Sequence, residues 1–334
     1  MRRRAFVASL VAAAALPRSV GATGGLDVEA SPSPRTIRVL LSTGPATDAV
    51  QLDTWHFSWN ARTYRGAFAS VALGSGRAGL VNVLPLEAYL YGVVSKEVSS
   101  AWPAAAQNVQ AILSRTYALS RLRPDRPFDV GATQSDQRYD GIEGESVQGR
   151  AAVDATAGSI VSFAGAPAMI AYSACCGGHT ADAGDVWGQS VPYLHGVLDT
   201  NCIGTPDFSW SVTISPAAVM QLLAARPGAP SALRDIALAD IDPSGRPRNV
   251  SLIGDSASFE MKSEDFRAAL GAERVRSTLI RSARVRDGAI DLTGNGRGHG
   301  VGLCQWGARE LAARAALPAD ILQFYFAGTS LGQM

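Results

Sequence analysis

The residues of this 334-residue sequence whose types and spacing could do chemistry fall into three sets: one glutamate, one glycine-rich run, and four cysteines. Glu97 closes an apolar-periodic stretch that begins at Leu86. In the last turn of a helix, unpaired carbonyls present a partial negative potential, which disfavours a carboxylate and raises its pKa. Val93, Val94, Val98 and Trp102 would add desolvation in the same direction. A carboxyl held protonated near neutral pH can act as a general acid on a glycosidic oxygen. Read alone, Glu97 is first a surface glutamate at a helix end, and only its surrounding motif changes that reading.

Residues 294–307 read Gly-Asn-Gly-Arg-Gly-His-Gly-Val-Gly-Leu-Cys-Gln-Trp-Gly, with glycine at every second position from Gly294 to Gly302. In an extended segment that alternation leaves one face bare, against which either a bulky ligand or another strand can lie. The other face carries Asn295, Arg297, His299 and Val301, and Gln305 follows. Polar donors beside a bare strand suit a substrate rich in hydroxyls and amides. The spacing is not that of a dinucleotide fingerprint.

At the N-terminus, Arg2-Arg3-Arg4 precede an apolar stretch to Leu16, and Val20-Gly21-Ala22 resembles a cleavage site. Residues 1–22 therefore read as an export signal, twin-arginine or general, too short to span a bilayer as a helix. The chain is expected outside the cytoplasm, periplasmic or extracellular, with no transmembrane segment once the signal is removed. In that setting the even set Cys175, Cys176, Cys202 and Cys304 reads first as disulfides, with Cys176 to Cys202 the leading pair. Zinc held by Cys176, His179, Cys202 and one further cysteine is the competing reading. No other cofactor is expected. Cys304 as a nucleophile with His299 as its base is a sharper alternative. A net charge of +1 excludes a strongly electrostatic nucleic-acid binder.

The elements that must position these residues can be read in outline. Residues 23–35 form a flexible lead-in rich in glycine, serine and proline. Ile37–Leu41 reads as a strand in a β-rich region that extends to about Val83. Helices are predicted over Leu86–Glu97 and after Pro103, and a strand over Ile170–Ser173. Residues 208–290 alternate strand-like and helical runs and read as an inserted α/β subdomain. A closing helix is predicted over Gln305–Ala316, and a last one after Pro318. Strands and helices intersperse without strict alternation, so the fold class is α+β, a mixed β-rich and helical single catalytic unit.

Several blocks, in order, carry a resemblance. They are Leu84-Pro-Leu-Glu-Ala-Tyr-Leu-Tyr-Gly-Val-Val-Ser-Lys-Glu97, Trp102-Pro103, Ser114-Arg-Thr-Tyr-Ala118, Asp136-Gln-Arg-Tyr-Asp-Gly141, Cys176-Gly-Gly-His-Thr180 and the run Gly298–Ala308. Together they resemble the SpoIID/LytB family of bacterial cell-wall proteins, over roughly residues 36–331. The resemblance implies a peptidoglycan lytic transglycosylase with Glu97 on the family's catalytic glutamate. In such enzymes the 6-hydroxyl of N-acetylmuramic acid displaces the leaving sugar, so one carboxyl serves as acid and then as base. Ordinary glycoside hydrolases need two carboxyl groups. Asp136, Asp140, Asp182 and Asp185 are the candidates for a second. The resemblance also makes Arg115, Tyr117, Gln137, Tyr139, His299 and Gln305 candidates for binding glycan. Some members hold zinc with cysteine and histidine, but the spacing here does not map cleanly onto that site. The alternative function is a non-catalytic glycan-binding protein that stimulates a partner amidase, the label carried by the LytB branch.

Overall fold

The computed structural model describes residues 35–44 and 48–334. The signal read over 1–22, and all of the lead-in but Arg35, lie outside the described residues. Among those described, no helix is long and apolar enough to cross a membrane.

An antiparallel sheet opens the fold. Its strand order is Ala67–Gly74, Arg77–Pro85, Thr36–Ser42, with the short Val130–Gly131 added in parallel to the last. The strand Arg77–Pro85 runs directly into helix α1, Leu86–Glu97. Proline is tolerated at that boundary because the first helical turn makes no use of its missing N–H. Glu87 in the first turn and Lys96 in the last match the helix dipole. Pro103 likewise opens α2, Ala104–Arg121. Ser146 accepts a hydrogen bond from the Gly149 N–H and caps α3, Val147–Ala155.

Helix α2 is the spine of the molecule. Val109, Ile112 and Leu113 face a core built with Ile170, Leu194, Val301 and Leu303. Ala111 and Ala118 face a second core made by α1 and the N-terminal sheet. A short helix, α4, Ala183–Trp187, is capped by Asp182 and ended by Gly188 in the left-handed conformation.

Residues 209–295, which overlap the segment read as a subdomain, follow within the same compact unit as the rest of the described chain. They hold two three-stranded antiparallel sheets, with helices α5, Pro216–Ala224, and α6, Ser263–Leu270. Their core, from Trp210 to Leu292, is separate from the other two. The pairing of this segment runs to Asn295 rather than 290, because Ser209 pairs with Asn295 across the sheet. Entry and exit are thus neighbours. Arg246, from the hairpin between Asp235–Ile241 and Pro247–Ile253, reaches back and donates to the carbonyls of Cys176 (2.6 Å) and His179 (2.9 Å).

The glycine run differs from the expected extended strand. Gly296, Gly298, Gly300 and Gly302 have φ of 82°, 108°, 80° and 72°, so the chain winds rather than extends. Their bare sides face protein. A Cβ on Gly302 would collide with the Ala171 carbonyl, and one on Gly300 with the Arg246 guanidinium. Close packing of this chain on the protein's own backbone at Gly296 and Gly302, and on the Ser173 and Arg246 side chains at Gly298 and Gly300, requires these glycines. After Leu303–Cys304, which pairs in parallel with Tyr172–Ser173, helix α7 spans Gln305–Ala313. It stops before the expected Ala316 because Ala315 takes φ +65° to reach α8, Pro318–Tyr325.

Candidate active site

Glu97 is the last residue of α1 and stands half-buried in the wall of a cleft of about 630 Å³. Tyr117, Asp136, Tyr172, Trp187, His299 and Gln305 also line it. Burial pushes the Glu97 carboxyl up to about 6. The backbone N–H of Arg138, which donates to Oε1 at 3.2 Å, and the Tyr172 hydroxyl pull the other way but only partly offset it. The neighbouring Lys96 does not interfere: its ammonium pairs with Asp140 at 3.2 Å.

A chain of polar groups lies behind the carboxyl. Tyr89 donates to Oε1 of Gln137 at 3.3 Å, and Nε2 of Gln137 donates to the Tyr172 hydroxyl oxygen at 3.3 Å. With its oxygen accepting from Gln137, Tyr172 is left to donate its own proton to Glu97. On another side, Nε2 of Gln305 donates to the backbone carbonyl of Glu97 and to Oε1 of Gln110, each at 3.2 Å. That bond satisfies a carbonyl which the helix end leaves without a partner.

His299 faces the cleft beside Trp187, with ring centroids 5.2 Å apart. Its Nδ1 accepts the Val301 N–H at 3.0 Å, which leaves Nε2 to carry the proton of the neutral ring. Burial, reinforced by the cations Arg267 and Arg246, lowers its pKa to about 4. The ring is therefore a neutral donor at ordinary pH. Tyr117 hydrogen-bonds Asp136 at 2.8 Å on the cleft wall, and burial raises its hydroxyl to about 12.

The other expected binding residues lie elsewhere. Arg115 is fully buried at the junction of α1, α2 and α3. Its guanidinium grips both carboxylate oxygens of Glu87 (2.7 and 2.8 Å) and donates to the Val153 and Ser159 carbonyls. It has no donor facing substrate. Tyr139 is packed against Gly92 and donates to Asn82 at 2.9 Å in the second core. Gln137 is fully buried and acts on Tyr172, not on a ligand. Gln305 lines the cleft, but its amide N–H groups are committed to protein.

Of the four aspartates considered as a second carboxylate, Asp140 is held by Arg62, Lys96 and Arg138, Asp182 caps α4, and Asp185 pairs with Arg248. Only Asp136 reaches the cleft, and its two oxygens accept from Tyr117 and from the Gly131 N–H. Glu273, which the sequence reading missed, lies at the cleft rim paired with Arg297 at 2.8 Å. Tyr172 and Arg138 were missed too. A tyrosine in a two-residue strand and a backbone N–H leave no mark in a sequence.

None of the four cysteines is in a disulfide, and all are buried. The leading pair, Cys176 and Cys202, has its sulfurs 3.5 Å apart without a bond. His179 does not join them, as its Nδ1 faces the Thr180 carbonyl. Cys304 is buried as the N-cap of α7, where its sulfur accepts from Gly307, and it does not present a nucleophile to the cleft.

Residues 74–163 match the family model described as Stage II sporulation protein, and residues 188–302 match a domain of unknown function, DUF8618. The cleft takes Glu97, Tyr117 and Asp136 from the first segment and His299, Glu273 and Arg297 from the second. An uncharacterised protein of Brachyspira hyodysenteriae is 33% identical over 278 residues, covering 82% of this chain and 74% of its own. Stage II sporulation protein D of Bacillus subtilis is 25% identical over 91% of this chain and 88% of its own. The amidase enhancer of the same organism is 25% identical over 72% of this chain, which spans 40% of that protein.

Proposed function

The chain belongs to the SpoIID family, and from that premise we propose that it is an exported lytic transglycosylase of the bacterial cell wall, with Glu97 as its general acid and base. One observation carries the reading. Among the described residues lining the cleft, Glu97 is the carboxyl raised to about 6, while the companions Asp136 and Glu273 are engaged by Tyr117, the Gly131 N–H and Arg297. A cleft with one carboxyl free to exchange a proton suits a reaction in which the nucleophile comes from the substrate itself.

In that reaction the protonated Glu97 gives its proton to the bridging oxygen as the bond from the N-acetylmuramic acid C1 to that oxygen breaks. The 6-hydroxyl of the same sugar attacks C1 and closes the 1,6-anhydro ring. Its proton returns to the Glu97 carboxylate, and no water is consumed. Tyr172 and the Arg138 N–H hold the carboxylate between the two steps. His299, a neutral ring beside Trp187, lines the cleft wall on which the glycan would rest.

The test is mass spectrometry of products from purified glycan strands, intact and peptide-free. The reading expects 1,6-anhydromuramic ends, and reducing ends would overturn it in favour of water as nucleophile. Glu97→Gln keeps the shape but cannot donate a proton. Its cleavage should fall at least 10²–10⁴-fold, the usual worth of general acid–base catalysis, while glycan binding survives. The relationship to an amidase enhancer favours a second reading, a glycan-binding module that stimulates a partner amidase. An unimpaired Glu97→Gln protein that raises amidase activity would select it.

A further inference from the structure

Apart from the cleft, the most concentrated chemistry in the molecule is a cluster the proposed reaction does not use. The sulfurs of Cys176, Cys202 and Cys304 and a carboxylate oxygen of Asp199 all lie within 4.8 Å of one another. All four residues have no exposed surface. Three separate segments bring them together: the turn after Tyr172–Ser173, the loop 199–202, and the first residue before α7.

Tetrahedral geometry fits these atoms. Metal–sulfur bonds of about 2.3 Å imply sulfur–sulfur edges of about 3.8 Å. The Cys176 and Cys202 sulfurs are 3.5 Å apart, and the Cys176 sulfur is 3.3 Å from Oδ2 of Asp199. These two edges are within a few tenths of an ångström of that geometry, and no edge of the cluster exceeds 4.8 Å.

The surroundings ask for a cation. A carboxylate fully buried against thiols is costly unless something compensates its charge. Among the described residues no lysine, arginine or histidine pairs with Asp199, which is oriented instead by neutral donors. Asn201 donates to Oδ1 through its backbone N–H (3.0 Å) and Nδ2 (2.9 Å), and Tyr325 donates to Oδ2 at 2.8 Å. The Cys304 sulfur accepts N–H bonds from Cys176 (3.2 Å) and Gly307 (3.3 Å), as a thiolate at a helix N-terminus would. These partners are the outer hydrogen bonds that usually aim the ligands of a bound metal. Gly307 has the room to be a glycine only: a Cβ there would collide with Tyr325 and Asp199.

We propose that Cys176, Cys202, Cys304 and Asp199 hold one structural zinc ion. Three thiolates and one carboxylate close the tetrahedron, so no coordination position is open for substrate and the metal has no part in the cleavage itself. Its effect is mechanical. It ties the turn after Tyr172 to the start of α7, the two elements that place Tyr172 and Gln305 against Glu97. The zinc anticipated from the sequence with His179 as a ligand is thereby assigned a different fourth donor.

The test uses the full chain purified without chelator. Elemental analysis is expected to give one zinc per chain, released on unfolding in the presence of a metal indicator, with four thiols titrating only after release. Zinc added back to metal-free protein should raise its melting temperature, and magnesium should not. Cobalt exchanged into the site should give thiolate-to-metal charge-transfer absorption. Cys202→Ser and Asp199→Asn should lose the bound equivalent, and Cys175→Ser should keep it. Wild-type protein that carries no metal, whether its thiols are disulfide-bonded or all free, overturns the proposal even if every variant misfolds. Loss of metal from Cys175→Ser with retention in Asp199→Asn overturns the carboxylate assignment in favour of Cys175. None of these readouts depends on glycan cleavage.

Discussion

At pH 7 the Glu97 carboxyl is mostly ionised, and both the proposed activity and the stability should register it. With a pKa of about 6, the protonated form needed to start the reaction falls about tenfold for each pH unit above that value. The alkaline limb of kcat/KM should therefore bend near pH 6. Tyr172→Phe removes a hydrogen bond that favours the ionised form, so the limb should move to higher pH; an unmoved limb would mean the hydroxyl does not act on Glu97. The stability effect has a definite sign. Because the folded pKa lies above the ordinary 4.5, the native state holds more protons than the unfolded chain between those two values. Stability is lost as pH rises from 4.5 to 6, and the cost, at most about 2 kcal/mol, is complete above 6. Glu97→Gln should thus melt higher than wild type at pH 7.5 and at the same temperature near pH 4, as thermal scans would read.

Elements do the positioning, and some of them were plain in the sequence. Helix α1 begins after Pro85 and ends at Glu97, as its local pattern dictates. The glycine alternation was equally plain, but not its meaning. A count of every second residue fits a strand or a winding chain alike, and the sign of φ at Gly296 to Gly302 depends on Cys175, Ser173, Arg246 and Ala171, which are distant in sequence. Arg115 was misread for the same reason. Its partner Glu87 lies 28 residues away on another helix, and no local spacing reports that pairing. Removing one member of a buried pair leaves the other uncompensated and typically costs about 3–5 kcal/mol. Discounting for a partner that keeps some access to water, Arg115→Met is expected to lose about 2–3 kcal/mol in denaturant unfolding while the folded fraction keeps its KM for glycan. A raised KM at unchanged stability would restore Arg115 to the binding surface.

Across the whole molecule, the α+β class was legible, while the way residues 209–295 join the rest was not. That segment has its own cluster of buried side chains and adjacent ends, yet it is not a bystander. Arg246, only 2% exposed, passes its guanidinium to the Cys176 and His179 carbonyls beneath Gly300. Arg246→Met should therefore destabilise the chain by several kcal/mol and lower cleavage, although it touches no cleft residue in the sequence neighbourhood of Glu97. A variant with wild-type melting and kinetics would mean that residues 209–295 do not support the proposed site. Asp199 was likewise out of reach of sequence reasoning. An aspartate three residues before Cys202 looks like any loop aspartate until Tyr325 and α7 close over it.

The bond from Gln305 to the Glu97 carbonyl spans 208 residues of chain. A ribosome adding about 5–20 residues per second needs roughly 10–40 s to travel from one to the other. During that interval the growing chain carries its acid but neither the amide that braces it nor the histidine opposite. The order of synthesis thus makes the proposed acid long before its surroundings, and the cleft cannot assemble until about nine-tenths of the 334 residues have been made.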